Sequence, residues 1–122
     1  MLNYPLYILK YLKKDFFQLI YHVTFRCNSR CNFCFNWKEI NKNEEKELTL
    51  EEIEKISGSM PKFPWLLLSG GEPTLRKDLV EIIGIFYKNN KIKHLTFPTN
   101  GLLLEKIFEI CESLLEKYKN LT

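Results

Sequence analysis

The sequence predicts an α/β fold in which parallel strands pack against helices. The chain has 122 residues, of which 45% are hydrophobic, so it is long enough to bury one core. Short apolar runs of the kind found in strands alternate with longer helical patterns, and this alternation occurs three times. Because strands joined by helical crossovers run parallel, we expect one parallel sheet with helices packed outside it. We expect residues 1–122 to form a single domain.

The chain begins with a segment that we expect to flank the sheet. Residues 1–14 form a weakly amphipathic pattern, which predicts a leading helix covering the end or edge of the sheet. Residues 16–25 are rich in aromatic and β-branched side chains and predict the first strand, which runs directly into Cys27. The polar stretch 36–47 predicts a solvated loop.

A capping box predicts where the first crossover helix begins. Thr49 starts the sequence Thr-Leu-Glu-Glu. In a capping box of this kind, the Thr49 hydroxyl accepts a hydrogen bond from the backbone N–H of Glu52, and the Glu52 side chain accepts one from the backbone N–H of Thr49. We expect Ile53, Ile56 and Met60 to form its buried side. The residues expected to end this helix are Gly58, Pro61 and Pro64.

Two further pairs of strand and helix complete the pattern. The wholly apolar run 65–68 predicts a strand covered on both faces, and residues 92–97 predict the third strand. Helices are predicted over 75–89 and 102–119. Their buried stripes are expected at Leu79, Ile82, Ile83 and Phe86, and at Leu103, Ile107, Ile110, Cys111, Leu114 and Tyr118.

A polar motif directly follows each predicted strand. In parallel sheets, ligands bind in the loops at the carboxyl ends of the strands. We therefore expect one site built from three consecutive loops. The motifs are the cysteines Cys27, Cys31 and Cys34, then Gly70, Gly71, Glu72 and Pro73, and then Thr99, Asn100 and Gly101.

Cys27, Cys31 and Cys34 are spaced so that one short loop can surround a metal centre. Three thiolates leave one ligand position open, and an open position lets a bound metal do chemistry on a ligand. The alternative is a structural zinc site completed by Cys111 or His22. Structural zinc sites normally pair their ligands in two places, and Cys111 lies on an apolar helical stripe, so the first interpretation is favoured.

The spacing Cys-x3-Cys-x-aromatic-Cys, with Phe33 at the aromatic position, resembles the signature of the radical S-adenosylmethionine (radical SAM) superfamily. The resemblance covers about residues 17–104. It implies that the three cysteines bind a [4Fe-4S] cluster and that S-adenosylmethionine chelates the fourth iron. It implies a fold as well: the first half, three βα units, of a partial TIM-like barrel.

The resemblance also gives expected roles to the other two loops. The Gly-Gly-Glu-Pro backbone would meet the amino group of S-adenosylmethionine, and Glu72 would orient either that loop or the ammonium group. Phe33 would face the adenine. Thr99 and Asn100 would lie near the cofactor or the substrate.

The function implied is that of a radical SAM enzyme. Such an enzyme reductively cleaves S-adenosylmethionine to a 5′-deoxyadenosyl radical for hydrogen abstraction, here from an unidentified substrate such as a peptide or a cofactor precursor. A reducing electron donor such as flavodoxin or ferredoxin is expected as a partner. The competing class is a non-catalytic iron–sulfur or zinc-binding module for electron transfer or interaction, or an inactive fragment. Since only three βα units are seen, we expect a truncated or split gene product. If the gene is split, another chain would complete the barrel.

Composition argues against several other classes of protein. The 18 basic and 15 acidic side chains are scattered, with a net charge of +3 and no basic tract, so nucleic acid is not an expected partner. No apolar run approaches the roughly 20 residues of a membrane helix, so no membrane is expected either. The start of the chain lacks a signal-peptide pattern, and clustered cysteines suit a reducing compartment, so we expect a cytoplasmic protein.

Overall fold

A computed structural model of the chain describes residues 16–42 and 47–122. The leading helix predicted over residues 1–14 lies outside the described residues. The order of strands and helices within the described residues is the predicted one. The elements are β1 (Gln18–Thr24), α1 (Leu50–Ser59), β2 (Trp65–Gly70), a 3₁₀ turn (Pro73–Leu75), α2 (Leu79–Asn90), β3 (His94–Thr96) and α3 (Leu104–Lys117).

The three strands form one sheet in the order β1-β2-β3, and both neighbouring pairs are parallel. This confirms the α/β class and the parallel arrangement. At the outer edge of β3, Thr122 N donates to Lys93 O (2.8 Å) and Leu95 N donates to Thr122 O (2.9 Å). Thr122 therefore bonds to both neighbours of His94 in the chain, which is the hydrogen-bond pattern of a parallel bridge.

One face of the sheet packs against the helices and forms the core. Leu66 and Leu68 of β2 are 0% exposed, and Val23 of β1 is 1% exposed. Burying each of these side chains contributes roughly 1.5–3 kcal/mol to folding. They share a single cluster with residues of the three helices and of the connections between elements, namely Ile53, Phe63, Leu79, Ile82, Ile83, Phe86, Ile92, Ile110 and Leu114.

The opposite face of the sheet is mixed in polarity and partly open. Ile20 is 58% exposed, and it pairs in register with Leu67, which in turn pairs with Thr96. Alternate strand residues point to opposite faces, so this row lies away from Leu66 and Leu68. The expectation that β2 is covered on both faces is therefore not met by residues 16–42 and 47–122.

Helix α1 begins at the predicted capping box. Thr49 Oγ1 accepts from Glu52 N (3.2 Å), and the Glu52 carboxylate accepts from Thr49 N (2.8 Å). The prediction that Ile56 is buried is wrong, since it is 43% exposed, and Ser57 is buried in its place. The reason is a long-range contact: the Ser57 hydroxyl donates to the side-chain amide of the fully buried Asn90 at the end of α2.

Helix α2 is shorter at its start than predicted, because residues 73–75 form a 3₁₀ turn and Arg76 is extended. The four side chains predicted to form its buried stripe are all at most 2% exposed, which confirms that stripe. The helix ends at Asn90, and Lys91 follows in the left-handed conformation (φ 58°). In α3, the stripe is buried at Ile110 and Leu114, and its other members are partly exposed.

None of the helices in the described part of the chain is long and apolar enough to cross a membrane.

Candidate functional site

The three predicted loops meet at the carboxyl edge of the sheet. We call them the cysteine loop (residues 25–42), the glycine loop (residues 70–73) and the third loop (residues 97–103). Backbone hydrogen bonds join the glycine loop to the end of β1 and to the cysteine loop: Gly71 N donates to Thr24 O (2.7 Å), and Glu72 N donates to Arg26 O (2.9 Å). The Asn36 side chain of the cysteine loop also donates to Gly70 O (3.1 Å).

The two glycines are required by this contact between loops. A Cβ atom on Gly70 would lie 2.1 Å from Thr24 O, and one on Gly71 would lie 2.2 Å from Arg26 O. Gly70 also has φ 107°, which side chains other than that of glycine rarely allow. The backbone that approaches the two glycines is thus that of the end of β1 and the start of the cysteine loop.

Glu72 links the glycine loop to the third loop. It is 1% exposed, and its carboxylate accepts hydrogen bonds from Thr99 Oγ1 (2.8 Å) and from the backbone N of Asn100 (2.7 Å). The hydroxyl of Thr74 donates to the same group (2.6 Å). Burial by itself raises the pKa of Glu72, but these hydrogen bonds outweigh it and hold the pKa below its usual value. These contacts bond Glu72 to the third loop as well as to the turn that follows the glycine loop.

The third loop also reaches the cysteine loop. Asn100 Nδ2 donates to Asn28 Oδ1 (2.8 Å), and Asn100 Oδ1 accepts from Leu102 N (3.0 Å). The structure therefore brings Thr99 and Asn100 to the same edge as the cysteines and the glycine loop. Pro73 is buried and begins the 3₁₀ turn that leads out of the glycine loop.

The cysteine loop is a series of turns that carries the three thiols. Cys34 N donates to Cys31 O (3.1 Å), and Trp37 N donates to Cys34 O (3.3 Å). All three cysteines are free thiols; Cys31 is exposed, and Cys27 and Cys34 are partly exposed. A cleft of about 290 Å³ opens beside Cys31, between Trp37 and neighbouring residues of the loop. These thiols are therefore accessible to an incoming metal.

Three aromatic side chains of this loop, all after Cys31, face solvent. Phe33 is 91% exposed, Phe35 is 83% exposed and Trp37 is 65% exposed. The ring of Phe33, which the sequence analysis assigned to the adenine, is thus not used in the packing of the described residues. A flat apolar ring in this position is suited to contact a ligand.

The donor set of the loop fits a three-thiolate cluster, because it offers three sulfurs free of disulfide bonds within one short segment. Within residues 16–42 and 47–122, no three His, Cys, Asp or Glu side chains converge as a ready group of metal ligands. Metal binding commonly completes the folding of its own site, so the loop would gather its thiols on binding. Of the two residues named for the zinc alternative, Cys111 lies on α3, and His22 lies on β1 with its ring packed against Phe25.

A network of charges supports the start of the cysteine loop. Glu47 accepts from Thr24 Oγ1 (2.5 Å) and from the Arg26 guanidinium (2.8 and 3.1 Å). Arg76, which is 4% exposed, donates to Val23 O (3.1 Å) and pairs with Asp78. The Arg76 hydrogen bond lowers the pKa of Asp78. Arg26 is thus held by Glu47.

Sequence reasoning missed several residues that hold the site together. These residues are Asn36, which bonds to Gly70 34 positions away, and Glu47, which bonds to Arg26 21 positions away. Arg76 bonds to Val23 of β1, 53 positions away, and Asn41 bonds to Cys27, 14 positions away. Polar residues in a loop pattern indicate only that the loop is solvated. The positive φ of Asn41 (59°) is of the kind that asparagine tolerates, but asparagine in a loop is too common to reveal it.

Comparison with known proteins identifies the family. The model of the radical SAM superfamily matches residues 21–122. The chain belongs to the radical SAM superfamily. This confirms the resemblance found from the cysteine spacing, and the cofactors used in this superfamily are a [4Fe-4S] cluster and S-adenosylmethionine.

Curated relatives of this radical SAM chain include a probable GTP 3′,8-cyclase of Methanococcus maripaludis, 46% identical over 88 residues, which are 69% of this chain and 28% of that protein. The GTP 3′,8-cyclase of Pasteurella multocida is 34% identical over 97 residues, 77% of this chain and 29% of that protein. The Fe-coproporphyrin III synthase of Methanosarcina barkeri is 34% identical over 105 residues, 84% of this chain and 25% of that protein. The chain thus matches between 25% and 29% of the length of these relatives.

Proposed function

We propose that this chain holds the cluster and cofactor of a radical SAM enzyme that abstracts hydrogen from an unidentified substrate. The observation that carries the proposal is the meeting of three loops at one sheet edge, where Glu72 and Asn100 connect the glycine loop, the third loop and the cysteine loop. When bound, the cluster would supply the electron that cleaves S-adenosylmethionine to methionine and a 5′-deoxyadenosyl radical.

The residues of each loop would have distinct roles. Cys27, Cys31 and Cys34 would hold the cluster, and their accessible thiols support this. Gly70, Gly71, Glu72 and Pro73 would present backbone to the amino group of S-adenosylmethionine. Phe33 would offer its exposed ring to the adenine. Thr99 and Asn100 would line the side of the cofactor or the substrate, from a loop fixed by Glu72.

We further propose that the described sheet is part of a partial TIM-like barrel. Parallel strands in the order β1-β2-β3 with one partly open face, on which Ile20 is 58% exposed, are what the inner wall of a barrel would present. The parallel bridge that Thr122 makes beside His94 supports a further strand at that edge. The shared core of the described residues supports a single domain.

The substrate and the partners are also proposals. The names of the relatives, GTP 3′,8-cyclase and Fe-coproporphyrin III synthase, favour a small organic substrate such as a cofactor precursor over a peptide. Reductive cleavage needs an electron donor such as flavodoxin or ferredoxin. A second chain would complete the barrel if no further strands follow in the same polypeptide. We propose a cytoplasmic location, where reduced thiols persist.

The test is anaerobic reconstitution with iron and sulfide, followed by EPR of the reduced protein with and without S-adenosylmethionine. We expect a [4Fe-4S] signal that changes when S-adenosylmethionine is added, because one iron has no protein ligand. Cys31→Ala should lose the cluster, whereas Cys111→Ala, the matched control on α3, should keep it. A signal that ignores S-adenosylmethionine, or bound zinc in place of iron, would contradict the proposal and favour a non-catalytic metal-binding module.

A further inference from the structure

Asn41 holds the backbone of Cys27 through its side-chain amide. Asn41 Oδ1 accepts from Cys27 N, and Asn41 Nδ2 donates to Cys27 O, both at 2.9 Å. The backbone N of Asn41 donates to Phe25 O, also at 2.9 Å. The end of the cysteine loop is thereby bonded to its beginning, and the other two cysteines lie between these points.

Asparagine has both properties that this contact needs. Asn41 has φ 59°, in the left-handed region that asparagine tolerates better than most other residues. Its side chain carries one acceptor and one donor group, which match the N–H and the C=O of a single residue. Glycine would keep the backbone conformation without the hydrogen bonds. Aspartate would keep only the acceptor.

The two hydrogen bonds to the backbone of Cys27 fix the direction of the Cys27 side chain. When both the N–H and the C=O of Cys27 are bonded, its Cα–Cβ bond points in a set direction. Apolar packing adds little to this order after Cys27, because the rings of Phe33, Phe35 and Trp37 are 65% to 91% exposed. The amide of Asn41 is therefore the contact on which the placement of the Cys27 thiol depends.

We propose that Asn41 is a positioning residue that presets Cys27 for metal binding. The inference rests on the proposed function, because it takes Cys27 as a ligand of the cluster. Asn41 does not bind the metal in this account. It holds one thiolate in place while the loop gathers the others, and this support strengthens retention of the cluster.

We call the two hydrogen bonds between the Asn41 amide and the Cys27 backbone the clamp. Three variants separate the effect of this clamp from general effects on the loop. Asn41→Gly removes both side-chain bonds and keeps the positive φ. Asn41→Asp keeps the acceptor for Cys27 N and sets a carboxylate oxygen against Cys27 O. Asn32→Gly is the matched control, because it is the same change in the same loop and Asn32 makes no hydrogen bond among the described residues.

Two of the measurements need no turnover. The first is hydrogen exchange at the Cys27 amide in the metal-free chain, which we expect to quicken in Asn41→Gly and to stay slow in Asn41→Asp and Asn32→Gly. The second is the rate at which reconstituted protein releases iron to a chelator. We expect release about 10- to 100-fold faster for Asn41→Gly, the usual cost of losing support for a metal ligand, with Asn41→Asp between it and wild type.

A purely structural role would not move the third measurement, the EPR line shape of the reduced cluster. We expect it to change in Asn41→Gly and not in Asn32→Gly, while the melting temperatures of the metal-free variants stay alike. Iron release and line shape that are the same in Asn41→Gly and Asn32→Gly would overturn the inference. A wild type that assembles no cluster would overturn the proposed function instead. Exchange at the Cys27 amide would then decide the clamp, since equal exchange in the two glycine variants refutes it.

Discussion

The core of the sheet and the cysteine loop are held together by different forces. In the core, Leu66, Leu68 and Ile82 are 0% exposed. In the cysteine loop, Phe33 and Phe35 are 91% and 83% exposed, so their rings contribute little packing. The loop is held instead by polar contacts, among them those of side-chain amides that reach the backbone of β2, the third loop and Cys27.

Because of this difference, the stability of the fold depends mainly on the core, whereas the conformation of the metal-binding loop depends on weaker contacts. Full burial of one leucine contributes roughly 1.5–3 kcal/mol, whereas one hydrogen bond contributes about 0.5–1.5 kcal/mol. The loop can therefore rearrange around a ligand at small cost while the core stays intact. Gly70 and Gly71 lie at the boundary between the sheet and the cysteine loop, where backbone from both regions packs closely. We expect these two positions to tolerate substitution least.

The largest effect is expected at that boundary. Gly70→Ala places a Cβ atom 2.1 Å from Thr24 O at a φ of 107°, so the backbone of β1 or β2 must move. Strained backbone alone costs about 1–3 kcal/mol, and the collision adds to it. We expect little folded protein, measured by urea unfolding followed by far-ultraviolet circular dichroism.

The matched control for that change is Gly58→Ala, because a Cβ at Gly58 of α1 meets nothing within 4 Å. This variant should be more stable than wild type by roughly 0.5–1 kcal/mol, since alanine favours helix over glycine. If both alanine variants unfold at the same urea concentration, the close approach of Thr24 O is not what requires Gly70.

A second pair of variants compares the two regions directly. Leu66→Ala should lower the free energy of unfolding by about 2–5 kcal/mol, because it leaves a cavity in the core. Phe33→Ala should change it by no more than about 0.5 kcal/mol, because the ring is 91% exposed.

The same pair also tests the role proposed for Phe33. In reconstituted protein, Phe33→Ala should weaken the EPR response to S-adenosylmethionine without loss of iron. A large loss of stability in Phe33→Ala would show instead that the ring packs against the protein, and the contrast between loop and core would fail.

The smallest of the three effects concerns Glu72, which joins the glycine loop to the third loop. Glu72→Gln removes the charge that accepts from Thr99 and Asn100, so it should cost about 1–3 kcal/mol at pH 7. The pKa of Glu72 is lowered in the folded chain, so the stability that it contributes is complete above its usual pKa and is lost as pH falls through the lowered value.

The difference in unfolding free energy between wild type and Glu72→Gln should therefore shrink between pH 7 and pH 3. Both proteins should still lose stability in acid, because the pKa values of Glu47 and Asp78 are also lowered. An equal difference at both pH values would mean that the Glu72 charge does not hold the third loop.

The sequence by itself determined the order of strands and helices, the capping box at Thr49, the apolar stripe of α2 and the cysteine spacing that identified the family. These features depend on residues two to four positions apart, and such spacings are set by the geometry of one helix, strand or turn. They can be recognised before any tertiary contact is known.

Only the tertiary structure decided which polar residues are buried and which contacts hold the site in place. Ser57 rather than Ile56 is buried because Asn90 reaches it from another helix, and Glu72 bonds to Asn100 in a different loop. Gly70 is required because Thr24 O lies against it. Each of these contacts depends on how distant segments align in the sheet, and no local pattern in the sequence records that alignment.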